Sequence, residues 1–153
     1  MAKIYYFAYG LNLSRAEMQW KTPRHEVYGL AYLENYGLVF NGVHPDFPTY
    51  STANLCYQEK IKTYGLVYEL SETALESLDQ AEGYSSSGEQ SVSLRELKNI
   101  YIPGIQRSHP AWVYFATKTQ EDVLPQLAYV YKIYSAARIL PGYPPQDLSK
   151  LEH

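Results

Sequence analysis

The strongest candidate for a catalytic residue is Glu82, near the end of a helix predicted over residues 71–83. Leu75 and Leu78 mark the apolar face of this helix, and Glu82 follows at a spacing that returns it to the same face. Desolvation there, together with the negative end of the helix dipole, disfavours the charged carboxylate. Such a glutamate suits a general base or acid that works near neutral pH.

Spacing alone leaves structural explanations of Glu82 open. The helix end could fray and turn the side chain to water, or the carboxylate could pair with a lysine or arginine. Asp79 lies one turn earlier. We predict a structural role for Asp79, because a short aspartate side chain there readily accepts backbone N–H groups from a neighbouring loop.

A second candidate site is the turn at residues 9–12, where a strand predicted over residues 3–9 ends at Gly10. Ser14 and Glu17 form a capping-box pattern, so a helix is expected to begin directly afterwards. Backbone N–H groups at such a junction can receive an anion or a polarised carbonyl oxygen. The stretch is neither a P-loop nor a GxGxxG motif, and an ordinary tight turn is the alternative.

The other polar candidates are weaker. His25-Glu26 is not followed by a second histidine at the spacing of a zinc-binding helix. His44 and Asp46 could share a metal, but a proline-containing surface loop explains them better, and we predict no metal site. Cys56 lies in a predicted strand, where cysteine is more often a small buried apolar residue than a nucleophile.

Strands outnumber helices among the elements that must position these residues. Ser71 and Gly83 are good residues for the start and end of helix 71–83. A second helix is predicted over residues 123–140, from the helical spacing of Leu124, Leu127, Val130, Tyr131 and Tyr134. Strands are predicted over residues 26–41, with bends or bulges at glycines, and over 52–57, 63–70, 89–102 and 111–117. Since strand and helix do not alternate regularly, we predict an α+β fold with a curled or barrel-like sheet.

Composition bounds the class of protein. The 153 residues suit a single domain, which we assign to residues 1–150, and residues 151–153 resemble the remnant of a purification tag. A net charge of −3 gives no electrostatic case for nucleic acid. The single cysteine excludes an internal disulfide, and the sequence shows neither a signal peptide nor an apolar run long enough for a membrane span. We therefore expect a soluble cytoplasmic domain without nucleic-acid or membrane partners.

Sequence blocks across nearly all of residues 4–148 resemble the gamma-glutamylcyclotransferase-like family. Residues 6–13 (YFAYGLNL) resemble its F-x-Y-G-S-N-L signature. Residues 64–70 (YGLVYEL) and 78–83 (LDQAEG) resemble its G-x-V-Y-x-L and L-D-x-x-E-G blocks. Weaker matches lie at residues 31–33, 38–40, 53–55 and 140–148.

This resemblance implies a small mixed barrel-like sheet with flanking helices, and an activity without a cofactor. Family members release 5-oxoproline from gamma-glutamyl amines or related compounds. The family's catalytic glutamate falls on Glu82, and its substrate-binding loop falls on Tyr9, Gly10, Leu11 and Asn12. The implied reaction is attack of the substrate's α-amine on its own γ-carbonyl, with Glu82 as general base and acid.

Two departures from the family pattern keep alternatives open. Leu11 replaces a serine, and Glu89 or Gln90 stands where members commonly carry a tyrosine that Tyr84 could replace. The first hypothesis is an active cyclotransferase on a gamma-glutamyl amine or peptide. The second is a non-catalytic or diverged member that binds a small amino-acid-like ligand. The third is an interaction module, which predicts an exposed apolar patch and no pocket at Glu82.

Overall fold

Five strands close into a barrel at the centre of the molecule. The computed structural model describes residues 3–46, 48–86 and 91–151. The strands are β1 (Ile4–Ala8), β2 (Glu26–Val43), β3 (Ser51–Leu70), β4 (Ser93–Ile102) and β5 (Arg107–Ala116), in spatial order β1-β3-β2-β4-β5. Neighbours pair antiparallel, except that β1 meets β5 in parallel at Tyr6 and Trp112 and so closes the barrel. The predicted α+β fold with a small mixed barrel-like sheet is confirmed.

Helices flank this barrel. They are α1 (Arg15–Lys21), α2 (Glu72–Glu82), α3 (Leu127–Arg138) and α4 (Pro145–Leu148). Short 3-10 helices lie at Leu11–Leu13, Pro103–Ile105 and Ser149–Leu151. Leu151 is buried in the core, whereas residues 152–153 lie outside the described residues. Among the helices that are described, none is long and apolar enough to cross a membrane.

Strands β2 and β3 form one long hairpin, 18 and 20 residues in length. The expected break between residues 52–57 and 63–70 is therefore wrong. The strand pairing has a bulge at this polar stretch, with a register shift between Glu34 and Tyr36 of β2. Asn35 and Lys60 adopt positive φ there, at 69° and 70°. The Lys60 amide donates to Asn35 Oδ1 at 3.0 Å, which satisfies a backbone group where the ladder is interrupted.

Local capping signals fix both ends of α2. Ser71 Oγ accepts a hydrogen bond from the Ala74 amide at 3.1 Å. Gly83 ends the helix with φ of 74°, and the Tyr84 amide returns to the Asp79 carbonyl at 2.9 Å. These contacts satisfy end groups that an uncapped helix would leave unpaired. The predicted helix and its termini are confirmed, and Glu82 becomes its last residue.

The predicted capping box of α1 is only half formed. Ser14 Oγ accepts from the Glu17 amide at 3.4 Å, as expected. The Ser14 amide, however, donates to the Leu11 carbonyl, and Glu17 accepts from the Trp20 indole at 3.0 Å. The preceding 3-10 turn has taken the donor that a complete capping box would use.

Two apolar clusters make up the core. One consists of strand residues alone and includes Phe7 and Val67, while the other lies between the barrel and the helices. Helix α3 buries Val130, Ile133 and Ala137 in or against this layer. The predicted second helix is confirmed, over Leu127–Arg138. Of the residues whose spacing predicted it, Val130 is buried and Tyr134 packs against the core, whereas Leu127 and Tyr131 are 73% and 68% exposed and Leu124 precedes the helix. Apolar residues occur at helical spacing on two faces of this helix. The face with Ile133 and Ala137 is the one that packs against the barrel.

Candidate active site

A cavity of about 430 Å³ opens where β1, α1, α2 and α3 meet around the barrel. Tyr9, Gly10, Leu11, Asn12 and Glu82 all line it. The turn at residues 9–12 and the end of α2 are far apart in sequence, yet the fold brings them to one space. The interaction-module hypothesis predicted no such pocket at Glu82.

The turn at residues 9–12 is held against the barrel from two sides. A Cβ on Gly10 would lie 3.1 Å from Ala53 Cβ, so glycine permits the close approach to β3. The Tyr9 hydroxyl donates to the Tyr114 carbonyl of β5 at 2.7 Å. Within the turn, the Leu13 amide donates to the Gly10 carbonyl at 3.0 Å, which forms the 3-10 helix. The turn is therefore a fixed wall of the cavity.

Asn12 is buried, 4% exposed, and hydrogen-bonded through three groups. Its Nδ2 donates to the Tyr6 hydroxyl at 2.8 Å, and its Oδ1 accepts from Lys21 Nζ at 2.6 Å. Its backbone carbonyl accepts from the Tyr68 hydroxyl at 2.7 Å. A buried amide with this many partners has a single favourable orientation.

Glu82 lines the cavity and also forms an ion pair. Its side chain is 23% exposed, and Oε2 lies 3.4 Å from the Nζ of Lys21, whose own side chain is 9% exposed. Of the structural explanations considered for Glu82, the lysine pair is present and a carboxylate turned out to bulk water is not. The pair places a carboxylate and an ammonium at one wall of the same cavity.

Four tyrosines that line the cavity are close enough to Glu82 for its charge to affect them: Tyr6, Tyr9, Tyr114 and Tyr129. Burial is the main cause that raises the pKa of each hydroxyl, and the negative charge of Glu82 raises each pKa further. The four hydroxyls are therefore neutral at physiological pH. Those of Tyr9 and Tyr114 donate their protons to the Tyr114 carbonyl and to Asp79, whereas those of Tyr6 and Tyr129 act as acceptors from Asn12 and Ala53. The Tyr129 hydroxyl, for example, accepts from the Ala53 amide at 2.8 Å.

Asp79 has side-chain partners rather than the backbone N–H groups predicted for it. Arg95 contacts it with Nε and Nη2 at 2.9 and 3.2 Å, and the Tyr114 hydroxyl donates to Oδ1 at 2.6 Å. The guanidinium lies between two rings, 4.7 Å from the Tyr84 centroid and 4.3 Å from Trp112. The expected loop contact is wrong, and Asp79 instead supports the cavity wall through Tyr114.

The structure adds functional candidates that sequence reasoning missed. Lys21 carried no local signal, because its partners are 9 and 61 positions away in the chain. Tyr6 and Tyr114 lie in predicted strands and Tyr129 lies in a predicted helix, where tyrosines are common as packing residues. Cys56 is exposed, which contradicts the buried position expected for it.

Two further predictions concern the segment after Gly83 and the loop with His44 and Asp46. Glu89 and Gln90 lie outside the described residues, and Tyr84 stacks on Arg95. His44 lines the cavity, and its Nδ1 accepts from the Asp46 amide at 3.1 Å. In the part of the chain that the structure describes, no three His, Cys, Asp or Glu side chains gather as metal ligands.

Comparisons with known proteins concern the family and the fold of this chain. The model of the family described as gamma-glutamyl cyclotransferase, AIG2-like, matches residues 6–135. No curated protein matches the sequence. A solved structure named gamma-glutamyl cyclotransferase is 22% identical with a TM-score of 0.83, and the match covers 98% of this chain and 86% of the other.

Two further solved structures share the fold. An uncharacterised protein from Homo sapiens is 21% identical with a TM-score of 0.82, covering 99% of this chain and 87% of the other. A yeast gamma-glutamyl cyclotransferase specific to glutathione is 13% identical with a TM-score of 0.66, covering 99% and 94%. At these identities the structural likeness is a likeness of fold.

Proposed function

The chain belongs to the gamma-glutamyl cyclotransferase, AIG2-like family, and from this premise we propose that it releases 5-oxoproline from a gamma-glutamyl amine or peptide. The observation that carries the proposal is the meeting of Glu82 with the turn at residues 9–12 in one cavity. A base and a substrate-holding turn are the two parts that the reaction needs.

The bonds balance within a single substrate molecule. The α-amine nitrogen attacks the γ-carbonyl carbon and forms a carbon–nitrogen bond, which closes a five-membered ring. The bond from that carbon to the leaving nitrogen breaks. Glu82 takes the proton from the attacking amine and returns it to the departing amine. Because nucleophile and carbonyl are already joined, orientation supplies much of the acceleration, and the proposal includes no cofactor.

Charge that develops on the carbonyl oxygen needs hydrogen-bond donors in the transition state. The amides of Leu13 and Ser14 are already used, since they donate to the carbonyls of Gly10 and Leu11 at 3.0 Å. We assign the holding of substrate to the earlier residues of the turn, Tyr9 to Asn12. The neutral hydroxyls of Tyr6 and Tyr129, which line the same cavity, are assigned further polar contacts to a bound amino-acid group.

The test is incubation with a panel of gamma-glutamyl amines and peptides, followed by an assay for 5-oxoproline. Release that depends on protein concentration supports the proposal, and the best substrate identifies the leaving amine. No release from any member of the panel contradicts it.

The second candidate is a diverged member that binds a small amino-acid-like ligand without turnover. Leu11 favours this alternative, because an apolar side chain lines the cavity where the family pattern has a serine. Calorimetry with the same panel separates the two hypotheses. Binding without release of 5-oxoproline would support the diverged member.

A further inference from the structure

We infer that Lys21 is a positioning residue, which fixes the Glu82 carboxylate so that one oxygen is presented to the substrate. This inference rests on the proposed function, because it concerns the base of that reaction. Lys21 is the last residue of α1, and its ammonium lies 2.6 Å from Asn12 Oδ1 and 3.4 Å from Glu82 Oε2. It is thus the direct link between the turn at residues 9–12 and the end of α2.

The link is anchored on the side of the turn. Asn12 cannot rotate freely, since its Nδ2 is bound to Tyr6 and its carbonyl accepts from Tyr68. The short contact with Asn12 fixes the Lys21 ammonium in turn. The ammonium is largely removed from water, with 9% of the side chain exposed, and such a cation needs an anionic partner. Glu82 is that partner, so the position of its carboxylate follows from the anchored lysine.

Glu82 differs in this respect from Asp79, which lies on the same helix. Both oxygens of Asp79 are engaged by the fork of Arg95, and Oδ1 also accepts from Tyr114. A lysine ammonium is a point charge and cannot bind both carboxylate oxygens as a guanidinium does. Lys21 donates its hydrogen bond to Glu82 Oε2. We therefore assign Oε2 to the lysine and Oε1 to proton transfer.

The charge of Lys21 has a second consequence for α2. The last turn of this helix contains no basic residue, although its carbonyl end disfavours a negative side chain. Lys21 supplies the positive charge from another helix. Loss of the lysine should therefore leave the Glu82 carboxylate without its anchor and free to take other rotamers.

A double-mutant cycle tests the inference through turnover. Lys21→Met should lower kcat for 5-oxoproline release by on the order of ten- to a hundredfold, as expected for a misplaced catalytic group, with less than about a threefold change in KM. In a Glu82→Gln background there is no base to position. The same Lys21→Met change should then lower the residual rate by less than about twofold.

Controls separate positioning from general damage to the fold. Lys3→Met removes a lysine whose ion pair with Glu69, at 3.6 Å, is exposed on the lysine side, and it should leave kcat and KM unchanged. Lys21→Gln keeps a donor towards Asn12 but no charge, and it serves if Lys21→Met does not fold. Equal losses from Lys21→Met in both backgrounds, or wild-type turnover in the folded Lys21 variants, would overturn the inference.

Crystal structures of the wild type and the Lys21 variant decide the inference even if the proposed function fails. In the variant, the Glu82 carboxylate should move by on the order of 1 Å, the scale at which misplacement affects catalysis. A carboxylate that stays in place without Lys21 would contradict positioning. Absence of 5-oxoproline from the wild type, by contrast, would contradict only the proposed reaction.

Discussion

The Asp79 carboxylate and the Arg95 guanidinium form a two-point ion pair, with Nε 2.9 Å from Oδ1 and Nη2 3.2 Å from Oδ2. The side chains are 13% and 16% exposed, so the pair is largely shielded from solvent. Tyr114 joins the pair through its hydroxyl and also lines the cavity. Asp79 therefore has both carboxylate oxygens engaged by other side chains, in contrast to Glu82.

Asp79→Asn should consequently cost stability more than turnover. The substitution removes the negative charge and leaves the shielded Arg95 guanidinium without an anionic partner. We therefore expect a loss of about 2–3 kcal/mol in the free energy of unfolding, somewhat below the value for fully buried pairs. Turnover should fall by much less than the hundredfold expected for loss of a general base. Chemical denaturation and the 5-oxoproline assay measure the two effects.

Glu96→Gln provides the matched control for Asp79→Asn. Glu96 pairs with Lys98 at 3.3 Å, and its side chain is 51% exposed. Its substitution should change the free energy of unfolding by less than about 1 kcal/mol. A stable Asp79→Asn protein that has lost all turnover would instead make Asp79 a second catalytic carboxylate.

Local signals explain which elements could be predicted from sequence. Helix α2 was predicted with its ends because Ser71 and Gly83 act on neighbouring backbone groups. The continuity of β3 was not predicted, because the polar stretch around Lys60 is held in the hairpin by a contact with Asn35, which is 25 positions away in sequence. Non-local pairing of this kind has no signature within a single segment.

The candidate site divides in the same way. Glu82 was found because helical spacing places it on the face of Leu78, and the turn at residues 9–12 because a strand ends at a glycine. Lys21 was missed because nothing near it in sequence indicates a carboxylate partner. A helical lysine is normally solvated, and only tertiary packing makes this one 9% exposed.

Gly83→Ala tests how firmly the end of α2 must be held. Gly83 has φ of 74°, and a Cβ there would lie 2.8 Å from Val92 Cβ. The left-handed conformation alone costs a non-glycine residue about 1–2 kcal/mol, and the clash adds to it. We expect at least that loss in the free energy of unfolding, together with reduced kcat, since Glu82 is the adjacent residue.

Gly104→Ala is the control for this substitution. Apart from Gly104 itself and its two chain neighbours, no heavy atom of the described residues lies within 4 Å of an added Cβ. Its substitution should therefore leave both unfolding and turnover close to wild type. Equal stability of the two alanine variants would show that the α2 terminus tolerates a side chain.

Alkaline pH should destabilise the protein through its buried tyrosines. Burial, followed by the charge of Asp147, raises the pKa of Tyr143 to about 12. Between about pH 10 and that value the unfolded chain loses a proton that the folded chain retains, so stability falls as pH rises. Tyr143→Phe should make this fall shallower in denaturation experiments over the same pH range.

The matched control for Tyr143→Phe is Tyr131→Phe, since the Tyr131 side chain is 68% exposed. This variant should keep the wild-type slope of stability against pH. An identical slope in the Tyr143 variant would show that its hydroxyl does not contribute to alkaline unfolding.

Glu82→Gln tests the base directly. Glutamine keeps the shape and hydrogen-bonding capacity of the side chain but cannot accept the proton. Release of 5-oxoproline should fall by on the order of a hundredfold or more, while substrate affinity changes little because the turn at residues 9–12 is untouched. Rates and calorimetric binding are measured on the same preparation. A variant that turns over at the wild-type rate excludes Glu82 as the base.

Leu11→Ser tests whether the turn at residues 9–12 holds the substrate through backbone groups or through the side chain at position 11. Leu11 is partly buried and packs against the core, so the substitution should cost about 1–2 kcal/mol in the free energy of unfolding. Asn12, Lys21 and Glu82 keep their contacts with one another, none of which involves the Leu11 side chain. If backbone groups hold the substrate, kcat/KM should stay within about threefold of wild type, a difference of less than 1 kcal/mol in transition-state binding. A gain above about tenfold, worth 1.4 kcal/mol or more, would show that the missing hydroxyl limits the reaction. In that case Leu11 would mark a divergence from the usual substrate while the base at Glu82 remains in use.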